Sequence, residues 1–502
     1  MDASQDPFGP ARHGALPRHV PVLVIGAGFA GIGAAAVLGR AGYDVLVLER
    51  ADGIGGTWRD NRYPGCACDV PSALYSFSFA PSPRATTGTG GGWSRRFAAQ
   101  PEILAYLDGV VRRLGLGRSI RCGVEVLAAA WDEAALVWRV TTDAGTLTAD
   151  VLISACGALS EPAPPQVPGL DAFGGPVLHT ARWTPGTDLT GLRVAVVGTG
   201  ASAVQVVPEL ARRAAELVVL QRTPPWILPR HDRPLPRGRA RAPRLARAWA
   251  YTRQELLEPA LVHRPELLAV AERHALAHLR RQVPDPGLRA LLTPGYRLGC
   301  KRVLLSDDYY QALVRDTVEL VPSALARLEP GAVVSADGAR RAVDAVVLAT
   351  GFRVSDPPIA HRVQGRDGVL LADAWRPTGM QALRGTTVTG FPNLFLLTGP
   401  NTGSAHTSMV HVIESQLRYV RDALDVMRER DAVAIEPTPA AQRAWTEDVR
   451  RRMRSTVWAT GGCESWYADG EGRLTALWPG SSVRLRLRTR RLDVREYRAV
   501  RR

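Results

Sequence analysis

The chain has 502 residues, 46% hydrophobic and 22% charged, a globular composition with material for two or three cores that excludes disorder as the default. Its formal charge of +15 raises nucleic acid or an anionic membrane as partners, but the basic residues are dispersed, without an aromatic-interleaved patch, and all except Lys301 are arginine. The near-complete use of Arg for Lys, beside abundant Ala, Gly and Pro, looks like GC-rich coding bias, so no nucleic-acid partner and no stable membrane insertion are expected, although the charge can help attract anionic cofactors.

Met1 to Val20 is polar and rich in Pro and Gly, and lacks the uninterrupted apolar segment of a secretory signal, so residues 1–20 read as a loose leader. The most apolar stretch, Val20 to Leu48, is interrupted by Gly26, Gly28, Gly31, Gly33, Arg40, Gly42 and Asp44 and makes a poor membrane span. A cytoplasmic protein is expected. The six cysteines, at 66, 68, 122, 156, 300 and 463, have neither zinc-ligand spacing nor the density of a disulfide framework. Free thiols in a reducing compartment are expected, with Cys66 and Cys68 as small buried residues, and no metal site.

Val20 to Ile25 reads as a buried parallel strand entering a Gly-rich turn, followed by an Ala-rich helix to Arg40 and a second strand, Asp44 to Glu49. This βαβ pattern recurs at Arg193 to Gly200, with a helix from about Ala203 to Ala214 and a strand Leu217 to Arg222. Between the copies, Pro101 to Leu116 predicts a helix, and Trp138 to Thr142 with Thr146 to Ile153 predicts an antiparallel excursion. Thr86 to Gly92 is low in complexity and is expected to form a mobile loop. Arg239 to about Leu292 is helical and Arg-rich, Ala345 to Phe352 is a second Gly-terminated strand, and a strand Leu394 to Thr398 precedes a helix from Met409 to about Arg430. The fold class is α/β, with two Rossmann-like dinucleotide-binding domains and an inserted helical subdomain. The expected boundaries are 21–160 with 385–502 for the first domain, 185–235 with 296–384 for the second, and 236–295 for the insertion.

A lone GxGxxG is weak evidence, but Gly26-Ala27-Gly28-Phe29-Ala30-Gly31 follows a strand, opens a helix and has Glu49 at the end of the next strand. Gly26 permits the turn, Gly28 lets the backbone approach a pyrophosphate and Gly31 lets helix and strand pack closely. Glu49 can accept both ribose hydroxyls and would repel a 2′-phosphate, which suits FAD or NAD. The second motif, Gly198-Thr199-Gly200-Ala201-Ser202-Ala203, has Arg222 and Thr223 where the first has its acid, which fits the 2′-phosphate of NADPH. Two such sites imply electron transfer from NADPH to a flavin. No CxxC or CxxxxC is present to pass the electrons to a disulfide, so oxygen is the natural acceptor.

Gly55-Gly56-Thr57-Trp58, Tyr63-Pro64-Gly65 and Asp69 together resemble the pattern [AG]GxWxxxx[FY]P[GM]xxxD of class B flavin monooxygenases. Phe173, Gly175, His179 and Trp183 match FxGxxxHxxxW, the fingerprint of the Baeyer-Villiger branch, with Thr184 where the branch usually has Pro or Asp. The resemblance extends over almost the whole chain. Arg59 to Gly65 is similar to the family's flavin-contacting loop, Ala349 to Phe352 to its ATG linker, and Cys463 to Tyr467 to the segment that closes over the nicotinamide cofactor. Lys301-Arg302 matches its KR pair.

The resemblance implies FAD and NADPH as cofactors and a ketone and molecular oxygen as small-molecule partners, with conversion to an ester or lactone through a C4a-peroxyflavin. It implies Arg302 and Asp69 as catalytic residues, Arg302 stabilising developing negative charge and Asp69 positioning it. The expected cofactor contacts are Gly26, Gly28, Phe29, Gly31, Glu49, Arg50, Gly56, Thr57, Trp58, Asp60, Tyr63, Asp69 and Tyr75 for FAD. For NADPH they are Gly198, Thr199, Gly200, Ser202, Ala203, Gln205, Arg222, Thr223, Lys301 and Trp466. His179 is expected to be architectural, and His406 to lie near the flavin without acting as a base. The competing readings are an N- or S-oxygenating flavin monooxygenase and a non-oxygenating NADPH-flavin protein.

Overall fold

Strands whose side chains are apolar on both faces must be covered on both sides, and Val22 to Ile25 are all buried at the centre of an eight-stranded sheet. The computed structural model describes residues 15–81, 92–235 and 243–501. Most of the expected leader, residues 86–91 of the Gly-rich tract and the start of the insertion at 236–242 lie outside the described residues.

In the first sheet, His19–Ile25 lies between Val45–Glu49 and Gly145–Ser154, parallel to both, with Val22 opposite Val45 and Val151. Ile120–Cys122 extends one edge, and Leu394–Leu396 joins the C-terminal end of Gly145–Ser154. The antiparallel excursion forms as Val126–Asp132, Val137–Thr142 and Gly145–Ser154; its first strand was not anticipated. The second sheet is parallel throughout, in the order Val318–Val321, Glu216–Leu220, Arg193–Val197, Ala345–Leu348, Val177–His179. In each sheet the Gly-rich turn leaves the C-terminal end of a central strand, where the strand order reverses and a crevice for a nucleotide opens.

Helices Phe29–Arg40 and Met409–Glu429 cover one face of the first sheet. The C-terminal strand Tyr497–Arg501 pairs with Ala432–Pro437. One boundary needs correction. Val363–Gln364 was expected in the second domain but pairs with Val126–Asp132, and Leu371 and Trp375 bury in the same core. A two-residue strand gives too little periodicity to reveal its sheet. The insertion comprises helices Pro243–Glu255, Glu258–Val262, Ala269–Gln282 and Pro286–Leu291. Its Leu261 and Val262 share an apolar cluster with Cys300, Val457, Trp458, Tyr467 and Leu477, so the insertion and the C-terminal region are packed together.

Candidate active site

The first turn is sterically committed to glycine. A Cβ on Gly31 would lie 1.8 Å from the Gly26 carbonyl oxygen, and Gly26 itself has φ +101°. Gly28 faces Gly56, where a Cβ would come within 3.2 Å of the Gly28 Cα, so the two turns pack backbone against backbone. Helix Phe29–Arg40 begins there without a side-chain cap, leaving its first N–H groups for an anion. Such a helix start suits a pyrophosphate.

Glu49 is 8% exposed, and its carboxylate accepts from the backbone N–H groups of Ala27 (2.7 Å) and Ala51 (2.9 Å). Burial raises its pKa while those two N–H groups oppose the rise. Each oxygen keeps a lone pair for a ribose hydroxyl. Arg50 pairs with Glu161, and Asp60 lies 3.4 Å from Arg182. Thr57–Asp60 forms a single helical turn after Gly56. The Trp58 indole donates to the Tyr75 hydroxyl at 3.1 Å, and Phe29 packs edge-on against Tyr75 at 5.2 Å, so these aromatic residues form one wall.

In the second turn, a Cβ on Gly198 would lie 2.6 Å from the Ala349 carbonyl oxygen, while nothing crowds Gly200. Thr199 donates to the Thr223 carbonyl and ties the turn to the end of the second strand; Ser202 and Ala203 start the helix Ala203–Ala211. Arg222 is exposed, and its charge is felt at Lys301. Burial first and Arg222 second lower the Lys301 pKa, with Glu464 opposing them. Two cations converging where one depresses the other make a site that a phosphate would relieve. The Lys301 ammonium also sits 5.2 Å from the Tyr296 ring centroid.

The two halves meet at Asp69 and Arg302. Arg302 donates Nε to Oδ2 (2.5 Å) and Nη2 to Oδ1 (2.8 Å) of Asp69, a two-point pair with each side chain a little over a quarter exposed. Burial alone would raise Asp69, but the Arg302 charge and hydrogen bonds outweigh it and hold the carboxyl below its usual range. The Asp69 charge in turn raises Arg302. Arg230 donates to the Cys68 carbonyl at 3.0 Å and steadies the same loop.

Several expectations change. Gln205, expected at the nucleotide, gives its amide to the first domain: Oε1 accepts from the Tyr63 hydroxyl (2.9 Å) and the Ala67 N–H (3.3 Å), and Nε2 donates to the Ala67 carbonyl (2.9 Å). The cysteines are not all thiols, because Cys300 and Cys463 are joined in a disulfide across 163 residues. Each borders a recognised motif, Lys301-Arg302 or Trp466, but no spacing in the sequence joins the two cysteines. Cys66 and Cys68 are buried and unbridged. Trp466 is 45% exposed, stacked edge-on with the buried Tyr467 at 4.4 Å.

The pyridine nucleotide-disulphide oxidoreductase family model matches residues 23–236. A Baeyer-Villiger monooxygenase of Streptomyces coelicolor (strain ATCC BAA-471 / A3(2) / M145) is 48% identical over 98% of this chain and 95% of its own. The chain belongs to the Baeyer-Villiger monooxygenase family. A second Baeyer-Villiger monooxygenase, from Pseudomonas aeruginosa, is 42% identical over 96% of this chain and 92% of its own. Among solved structures, a cyclohexanone monooxygenase from Rhodococcus sp. Phi1 bound to NADP+ superposes with TM-score 0.86 at 30% identity, covering 97% of this chain and 100% of that one. An oxidised steroid monooxygenase bound to NADP gives TM-score 0.84 at 31% identity over 97% of this chain and 100% of that one.

In this Baeyer-Villiger monooxygenase the family fingerprint is a packing element. Phe173 is buried under the second sheet, and a Cβ on Gly175 would lie 2.3 Å from the Asp344 carbonyl oxygen. His179 accepts at Nδ1 from the Ala181 N–H (3.1 Å) and meets the Thr350 hydroxyl at Nε2 (3.3 Å), joining the fingerprint to the ATG segment. Burial and Arg182 push its pKa down to about 4, so it is neutral at physiological pH. His406 contacts Glu255 of the insertion at 3.2 Å, a link absent from the expectations. Among the described residues no cluster could hold a metal ion, and no helix is long and apolar enough to cross a membrane.

Proposed function

We propose that this chain uses FAD and NADPH to insert one atom of molecular oxygen beside a ketone carbonyl, giving an ester or lactone, with Arg302 as the charge-stabilising residue and Asp69 as its positioning partner. The observation that carries these roles is the two-point Asp69–Arg302 pair, which joins the loop after the first nucleotide turn to the second domain. Bound FAD supplies hydride acceptance from NADPH and the activation of oxygen.

The protein's own part is positional and electrostatic. Glu49 suits the two adenosine ribose hydroxyls of FAD and disfavours a 2′-phosphate; the Gly26–Gly31 turn and the uncapped start of helix Phe29–Arg40 suit the pyrophosphate. Arg222 and Lys301 suit the 2′-phosphate of NADPH, and Trp466 its nicotinamide half. A guanidinium held by a carboxylate cannot give up its proton and needs no reorganisation when negative charge builds on an oxygen beside it. The region Leu397 to His411 and the insertion form the substrate wall, supported by the Glu255–His406 contact between them. A cytoplasmic location is part of the proposal and rests on the requirement for NADPH, no longer on free thiols.

A panel of cyclic, aromatic, steroidal and linear ketones, with amines and sulfides as controls, tests the reading by product identity. Ester or lactone formed in step with NADPH consumption supports it. N-oxide or sulfoxide as the sole coupled product sinks it.

A further inference from the structure

Two motifs far apart in sequence are joined by one covalent bond. Cys300 immediately precedes Lys301 and Arg302, and its disulfide partner Cys463 lies three residues before Trp466. The segment around Cys463 has few other ties. Among the described residues, the nearest backbone links are the Arg297 N–H to the Gly461 carbonyl (2.9 Å) on one side and the Ala468 N–H to the Ser465 carbonyl (3.1 Å) on the other, with none for 462–464. Gly462, Glu464 and Trp466 are exposed. Beyond them Tyr467 is buried in the cluster that holds Cys300, and its hydroxyl has no hydrogen-bond partner among the described residues. The approach at Gly461 is close, since a Cβ there would lie 2.6 Å from the Cys300 Cβ.

The two sulfurs are unequal. Cys300 is 0% exposed, whereas Cys463 is partly exposed at the edge of the same apolar cluster. We propose that Cys300–Cys463 is a thiol–disulfide exchange site for an external dithiol, and that its oxidised form clasps the 461–467 segment over the Lys301–Arg302 turn and strengthens retention of the nicotinamide nucleotide. The incoming thiolate attacks the sulfur of Cys463, the less buried of the two residues, forming a mixed disulfide as the Cys300–Cys463 bond breaks and Cys300 leaves as a thiolate that takes up a proton. The second thiol of the reductant then displaces Cys463, which is protonated in turn. The protein gains two electrons and two protons, and the dithiol becomes a disulfide.

With the clasp closed, the segment is ordered before the nucleotide arrives. With it open, binding must order the segment, which weakens NADP+ by roughly three- to tenfold. In a reducing compartment a disulfide beside a binding segment is more often a redox-responsive element than a permanent brace. The inference rests on the assignment of Lys301 and Trp466 to the nicotinamide nucleotide.

The test uses FAD-loaded enzyme prepared without reductant. Thiol titration after denaturation should find four of the six cysteines reactive, and all six after dithiothreitol. Calorimetric titration with NADP+ should give a Kd roughly three- to tenfold higher for the reduced enzyme, reversed on reoxidation. Cys463→Ser and Cys463→Ala, with unchanged FAD content, should sit at the reduced value and ignore dithiothreitol. Six reactive thiols in the unreduced enzyme, or one Kd for all these forms, overturns the clasp. Lys301→Ala and Trp466→Ala should weaken NADP+ in both redox states. If they do not, the site assignment fails; if they do while reduction has no effect, only the clasp fails.

Discussion

Asp69 holds Arg302 at two points, and the two residues come from opposite halves of the molecule, 233 positions apart in sequence. The carboxylate fixes the plane of the guanidinium, so removing either partner has a different signature. Arg302→Ala should keep FAD and its reduction by NADPH but lose oxygenated product by about a hundred- to a thousandfold, the range for a preorganised charge stabiliser. Asp69→Asn should lose less, because the cation remains but is held by one acceptor. Rapid-mixing reduction rates and ester yield separate the two steps. Since Arg302 lowers the Asp69 pKa, the pair is intact above the ordinary carboxylate value and breaks only as pH falls through the depressed one. No acid limb from Asp69 is expected between pH 5 and 7.

Arg222 should discriminate between coenzymes. On the proposed assignment, replacing it with Ala removes a charged contact to the 2′-phosphate, about one to two kcal/mol, or roughly five- to thirtyfold in the Michaelis constant for NADPH. The constant for NADH, which has no such phosphate, should barely move. An equal rise for both coenzymes would refute the phosphate assignment.

Lys301 gives a pH prediction. Burial and the neighbouring Arg222 lower its pKa, so in the free enzyme it loses its charge at a lower pH than an ordinary lysine. Affinity for a phosphate dianion therefore falls as pH rises through that value, and the Michaelis constant for NADPH should climb on the alkaline side. Lys301→Arg keeps the charge throughout the accessible range, so the alkaline rise should vanish even if affinity at neutral pH is poorer. Persistence of the rise would assign it to another group.

What was legible in the chain follows from range. Each Gly-rich turn, its helix and the acid or arginine after the next strand lie within one βαβ unit, and local periodicity reports them directly. Glu49 and Arg222 were singled out this way. The Asp69–Arg302 pair was legible through family resemblance. The Cys300–Cys463 bond was not: spacing carries no information about two cysteines 163 residues apart, and the low cysteine density argued for thiols. Val363–Gln364 was misplaced for a similar reason, since a two-residue strand is defined by its partner alone. Gln205 sits one turn into a nucleotide-binding helix, where a contact to the ligand is the default expectation; the Tyr63 and Ala67 groups that claim its amide come from the other domain.

That reassignment of Gln205 is itself testable. Gln205→Leu keeps the volume but strands the Tyr63 hydroxyl and the Ala67 N–H and carbonyl, at a cost of about 1–3 kcal/mol for buried groups left unpaired. The melting temperature should fall while FAD content holds. The Michaelis constant for NADPH should change little, because the lost bonds tie the domains together. Gln205→Glu sharpens the comparison: it retains acceptors for Tyr63 and Ala67 N–H but sets a carboxylate oxygen against the Ala67 carbonyl, so its melting temperature should also fall. Wild-type melting in Gln205→Leu with a raised Michaelis constant for NADPH alone would return the amide to the nucleotide.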